Sequence, residues 1–114
     1  QRGTRMRVEN RTDNLVLKKD QGKYQATGRF LTELLVPPTG CQFVELDYAA
    51  TTPAGTRLEV NLLDSNGRVL QRQVQDGSSL KISQPIQIEF VFQTDHSDRT
   101  PLLDHYRLRF DRVK

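Results

Sequence analysis

IQIEFVFQ, residues 86–93, sets Ile86, Ile88, Phe90 and Phe92 at every second position, with Gln87, Glu89, Val91 and Gln93 between them. A strand turns successive side chains to opposite faces, so this alternation describes a half-buried strand with one apolar face and one mostly polar face. The pattern recurs in QFVELDYAA (42–50), where Val44, Leu46 and Tyr48 oppose Glu45 and Asp47. It recurs in RLEVNLL (57–63), with Leu58, Val60 and Leu62 inward and Arg57, Glu59 and Asn61 outward. YRLRFD (106–111) completes the set, with Tyr106, Leu108 and Phe110 against Arg107, Arg109 and Asp111. Helical spacing holds over no long window, so β structure is expected.

Between these runs stand turn residues: Pro37-Pro38-Thr39-Gly40, Thr52-Pro53-Ala54-Gly55, Asp64-Ser65-Asn66-Gly67 and Asp76-Gly77-Ser78. Asn66-Gly67 suits a type I′ hairpin, which makes the strands on either side antiparallel neighbours. Upstream, TRMRVEN (4–10), NLVLKK (14–19) and GRFLTELLV (28–36) are less regular strand candidates, and FLTELL (30–35) has the alternative of a short helical turn. Strands eight to twelve residues apart predict an all-β, two-sheet antiparallel sandwich. At 114 residues the chain fits a single domain, 1–114, with one core.

Seventeen Lys and Arg against 14 Asp and Glu give a formal charge of +3, and the cations are interleaved with acids. The nearest approach to a basic patch is LKKDQGKY (17–24) with Arg29; a single-strand nucleic-acid site would use Lys18, Lys19, Lys23 and Arg29. Without a concentrated basic stripe beside aromatics, nucleic acid is not the expected partner. The single cysteine, Cys41, excludes an internal disulfide and reads as a small apolar residue at the start of a strand. No apolar run is long enough to span a membrane, and no membrane partner is expected. Starting at Gln1 without an initiator methionine, the chain reads as a piece of a longer precursor.

The segment QTDHSDRTP (93–101) raises the question of chemistry, because Asp95, His96 and Asp98 have the makings of an acid–base pair or a hard cation site. Asp and Ser before a turn also bond their own backbone, and the segment is expected to be a strand connector. His105, the other histidine, falls on the face opposite Tyr106 and Leu108, so a multi-histidine metal site is not expected. Nucleophile-elbow, phosphate-loop, dinucleotide and zinc-protease motifs are missing. The expectation is a binding protein without catalytic residues, cofactor or metal.

The outward amide, carboxylate and guanidinium groups are of the kind that hold sugar hydroxyls, each of which both donates and accepts. The expected carbohydrate contacts are Asn61, Gln87, Arg107 and Arg109, with Lys23 and Tyr24 at an edge. With no tryptophan, and with only Tyr24 and Phe43 as available rings, an acidic or sulfated polysaccharide held by Arg and Lys is the expected ligand.

Pro53-x-Gly55-Thr56, Ser65-Asn66-Gly67, Asp76-Gly77, Ile86-Gln87 and Thr100-Pro101-x-Leu103 stand in an order that resembles a jelly-roll β-sandwich module of secreted bacterial polysaccharide-degrading enzymes and sialidase-like proteins. Similar modules occur in phage tail proteins. The resemblance covers about residues 22–110 and rests on structural signatures, so it speaks to fold more than to activity. It implies an extracellular, noncatalytic carbohydrate-binding role or domain support. The implied partners are a polysaccharide and neighbouring domains of a parent protein.

Overall fold

The computed structural model describes the backbone of residues 5–11 and 15–112, and the side chains of residues 15–19 and 21–112. In chain order the strands are β1 (Arg5–Arg11), β2 (Leu15–Val16), β3 (Lys19–Asp20), β4 (Lys23–Tyr24), β5 (Thr27–Leu31), β6 (Phe43–Thr51), β7 (Thr56–Asp64), β8 (Val69–Gln71), β9 (Ser78–Lys81), β10 (Ile86–Thr94) and β11 (Leu102–Asp111). One sheet has the order β1-β11-β6-β9, with β2 also beside β11; the other has the order β5-β10-β7-β8; β3 and β4 form a separate small hairpin. Among the described residues all pairings are antiparallel.

The pairing is nested. β1 joins β11, β5 joins β10, β6 joins β9 and β7 joins β8. The chain therefore crosses repeatedly between sheets, and the apolar faces of consecutive long strands meet in one core. Ile86, Ile88, Phe90 and Phe92 from the second sheet are buried with Val44, Leu46, Tyr106, Leu108 and Phe110 from the first. Phe90 lies at its centre, its ring 5.1 Å from Tyr106 and 6.1 Å from Phe30. Burying side chains of this size stabilises the fold by about 1.5–3 kcal/mol each.

β7 and β8 are antiparallel neighbours as expected, but their connection is not a type I′ turn. Gly67 has a positive φ of 84°, whereas Asn66 is not among the residues with positive φ. The Asp64 carboxylate accepts from the N–H groups of Asn66 (2.8 Å) and Arg68 (2.9 Å), and Gly67 N–H donates to Asp64 O. These bonds hold a type I turn that closes on a left-handed glycine, the three-residue hairpin loop.

Residues 30–35 form no helix. β5 ends at Leu31, and Thr32 carries the ladder on by donating its N–H to Ile88 O while its hydroxyl accepts from Ile88 N–H, both at 3.0 Å. Leu35 then bridges to Ile86. Thr100-Pro101 leads directly into β11, as the alternation requires, with Thr100 Oγ1 accepting from Leu17 N–H at 2.8 Å.

Candidate functional site

The six expected contacts do not share a face. Arg107 and Arg109 lie on β11, on the outer side of the first sheet; Asn61 and Gln87 belong to β7 and β10 of the second; Lys23 and Tyr24 form β4 of the small hairpin. Alternation distinguishes inward from outward but not one outer face from the other, and the chain crosses repeatedly between sheets. The expectation of a single outer binding face is corrected accordingly.

Most of these groups already have partners. Arg107 stands across from Asp47 and bonds its carboxylate at 3.0 Å. Arg109 stands across from Glu45 and pairs with it, with Asp111 at 3.6 Å on the other side. Asn61 is on the outward side of β7 as expected, but it is 2% exposed because the chain at Gln73 covers it. Its Nδ2 donates to Glu89 (2.8 Å) and its Oδ1 accepts from Gln73 N–H (3.0 Å). Gln87 donates to Thr32 O at 3.0 Å. Lys19 rests over the Tyr24 ring at 4.9 Å, and Tyr24 N–H donates to Ser97 O. Lys23 is exposed.

The segment containing Asp95, His96 and Asp98 is stitched to the turn at Pro53-Gly55. Asp95 N–H donates to Gly55 O, Arg99 to Ala54 O, and Thr94 Oγ1 to His96 O. Arg57 grips the Asp95 carboxylate with both terminal nitrogens, at 3.0 and 3.2 Å, and those bonds hold the Asp95 pKa below its ordinary value. Gly55 is required on two counts: its φ is +81°, and a Cβ there would fall 2.3 Å from the His96 ring. Among the described residues no group of three or more His, Cys, Asp or Glu side chains converges as metal ligands do.

A concave site forms where the strand edges are left uncovered. Among the described residues β9 pairs only with the part of β6 from Phe43 to Leu46, and β8 only with Leu62 and Leu63 of β7. Residues 72–77 then cross from the second sheet to the first. Val74 N–H donates to Val60 O (2.7 Å), Gly77 N–H donates to Leu46 O (2.9 Å), and the Asp76 carboxylate accepts from Tyr48 N–H (2.8 Å). Beyond this crossing lies a groove of about 410 Å³. Half-buried Leu58 gives it apolar surface above the buried Val60 and Val74, and Arg57, Glu59, Gln73, Gln75 and Gln93 give it polar groups.

Tyr48 forms one wall of the groove, and its hydroxyl is tied to Val74 O at 2.7 Å. Burial, assisted by the Asp76 charge, raises the Tyr48 pKa, so the phenol stays neutral. Arg57 is held by Asp95 and by Gln93 Oε1 (3.2 Å), while Arg72 approaches Glu59 at 3.7 Å. The groove thus combines one fixed ring with several planar amide and ionic groups in a nearly charge-balanced setting. Sequence reasoning placed Arg57 and Glu59 outward but assigned Tyr48 to the core and did not single out Gln73 and Gln75. The usable signal was QRQVQDG (71–77), where Gln73 and Gln75 flank the one buried residue, Val74.

Compared with known proteins, the chain matches no family model, no curated protein and no solved structure.

Proposed function

We propose that this chain is a noncatalytic carbohydrate-binding module that takes its glycan in the Tyr48 groove and keeps an attached enzyme close to its substrate. The observation that carries the reading is the groove's composition: a held aromatic ring beside Arg57, Glu59, Gln73, Gln75 and Gln93. Sugar hydroxyls need donors and acceptors side by side, and the planar amides of Gln73, Gln75 and Gln93 supply both. Tethering works through effective concentration and requires no chemistry from the module itself. The nested strand pairing supports the jelly-roll reading, and with it the likeness to accessory modules of secreted enzymes.

Ion pairing of Arg107 and Arg109 with neighbouring carboxylates favours a neutral glycan over an acidic or sulfated one. The test is retention of the purified chain on immobilised neutral and anionic polysaccharides at low and physiological salt. Retention that survives physiological salt and is lost in Tyr48→Ala supports the reading; no retention on any polymer overturns it.

A second reading, a spacer that docks on a neighbouring domain, is favoured by exposed Leu31, Leu34, Val36 and Val69. The pairings of Leu31 with Glu89, Leu35 with Ile86 and Val69 with Leu63 put them at one end of the second sheet. It predicts self-association or capture of an adjacent domain, read by sizing chromatography, with no glycan retention.

A further inference from the structure

Most polar side chains of the groove are spent on the fold. Arg57 is held by Asp95, Gln93 Oε1 accepts from Arg57, and Gln75 Nε2 donates to Gln73 O at 3.2 Å. Glu59 lies 3.7 Å from Arg72, and the Tyr48 hydroxyl donates to Val74 O. Gln73 differs: its side chain is exposed and its amide has no partner among the described residues.

Gln73 also holds a backbone conformation that suits it poorly. Its φ is +52°, in the left-handed region where the Cβ of an L residue crowds a carbonyl oxygen and Gly or Asn is the usual occupant. The chain is fixed on both sides, by Gln73 N–H to Asn61 Oδ1 (3.0 Å) and by the next N–H, that of Val74, to Val60 O (2.7 Å). Among the described residues Gln21 is the other non-glycine with positive φ, at 53°. It precedes Gly22 in the two-residue turn that joins β3 to β4, where a type I′ hairpin demands positive φ at both positions, and it does not line the groove. No hairpin closes at Gln73, and glycine would serve the backbone there with less strain. A residue that strains the fold without bonding within it through its side chain is accounted for by something outside the fold.

We infer that Gln73 is the residue by which the groove grips its ligand, an inference that rests on the glycan reading of the same groove. Its amide accepts at Oε1 from one sugar hydroxyl and donates at Nε2 to the next. The open edge of β7 adds to this grip. In an antiparallel ladder, alternate residues turn their N–H and C=O toward one neighbour and then the other. Asp95 N–H bonds Gly55 O toward β10, while Val60 O accepts from Val74 on the opposite side, so even-numbered residues face the edge. Leu58 thus presents an N–H and a C=O to the groove with no partner among the described residues.

The experiment compares the parent chain with Gln73→Gly, Gln73→Asn and Gln21→Gly. Each is scored by its urea midpoint and by its dissociation constant, from depletion on whichever of glucan, xylan, mannan and polygalacturonate retains the parent. Gln73→Gly should raise the midpoint and weaken binding about tenfold, the equivalent of one or two net hydrogen bonds. Gln73→Asn, which tolerates the left-handed region and keeps a shorter amide, should raise the midpoint too and weaken binding less. Gln21→Gly should leave binding unchanged.

Binding unchanged in Gln73→Gly, or a midpoint that rises in neither Gln73 variant, overturns the inference while the glycan reading stands. An equal loss of binding in Gln21→Gly also overturns it, because the loss would then follow from a general change in the fold. Should Gln73→Gly not fold, Gln73→Asn decides on both measurements. Failure of the parent chain on every polymer overturns the glycan reading, and this inference with it.

Discussion

The outer faces of the two sheets and the open edge between β6 and β7 draw on the same residue types, yet they are chemically unlike. On the faces, cross-strand register sets Arg107 against Asp47 and Arg109 against Glu45, and Asn61 is enclosed between Glu89 and the Gln73 backbone. At the edge, residues 72–77 leave the sheet early and expose Leu58 backbone groups beside Gln73, Gln75 and Gln93. A displayed charge is therefore not the same as an available one. What makes a surface receptive here is an interruption in pairing.

The largest effect expected from breaking this contrast is at Asn61. If the second face is structural, Asn61→Ala strands the Gln73 N–H and weakens the hold on Glu89, costing about 2–3 kcal/mol in urea unfolding. Glycan retention by the folded fraction should be unchanged; its loss would make Asn61 a contact after all. Tyr48 behaves in the opposite sense. Tyr48→Phe removes only the bond to Val74 O and should cost about 1 kcal/mol of stability, whereas Tyr48→Ala should weaken glycan binding about tenfold or more.

Arg107→Ala sharpens the comparison from the other side. Its pair with Asp47 is largely exposed, so the expected loss of stability is below about 1 kcal/mol, and retention on every polymer should match that of the parent chain. Abolished retention would return the site to the first sheet's face and break the distinction between face and edge.

The sandwich was legible because period-two alternation in β6, β7, β10 and β11 reports burial directly, and burial drives the fold. The site was less legible for reasons particular to its residues. Asn61 reads as outward by parity, and it does leave the core face, but the neighbouring chain at Gln73 covers it. Tyr48 reads as core by parity, yet β9 stops at Leu46 and its ring is left at an opening. The Leu58 amide has no side-chain signature at all. Strand ends decide all three cases, and strand ends depend on turns such as that at Gly67, whose type the Asp64 side chain dictates rather than Asn66.

The smallest expected effect concerns Glu89, whose carboxylate is mostly covered at 15% exposure. Burial alone would raise its pKa, but hydrogen bonds from Asn61 and Arg29, with the charges of Arg29 and Arg72, outweigh it and hold the group below the ordinary 4.5. A carboxylate depressed in the folded state adds stability that is complete above its unfolded pKa and disappears as pH falls through the folded value. The advantage of the parent chain over Glu89→Gln should therefore be constant from pH 7 to about 5 and shrink below about 4.5. Urea midpoints of both chains across that range measure it. A difference that did not change with pH would mean that the Asn61–Glu89–Arg29 chain of bonds is no stronger in its ionised form, and that packing rather than charge makes the second face structural.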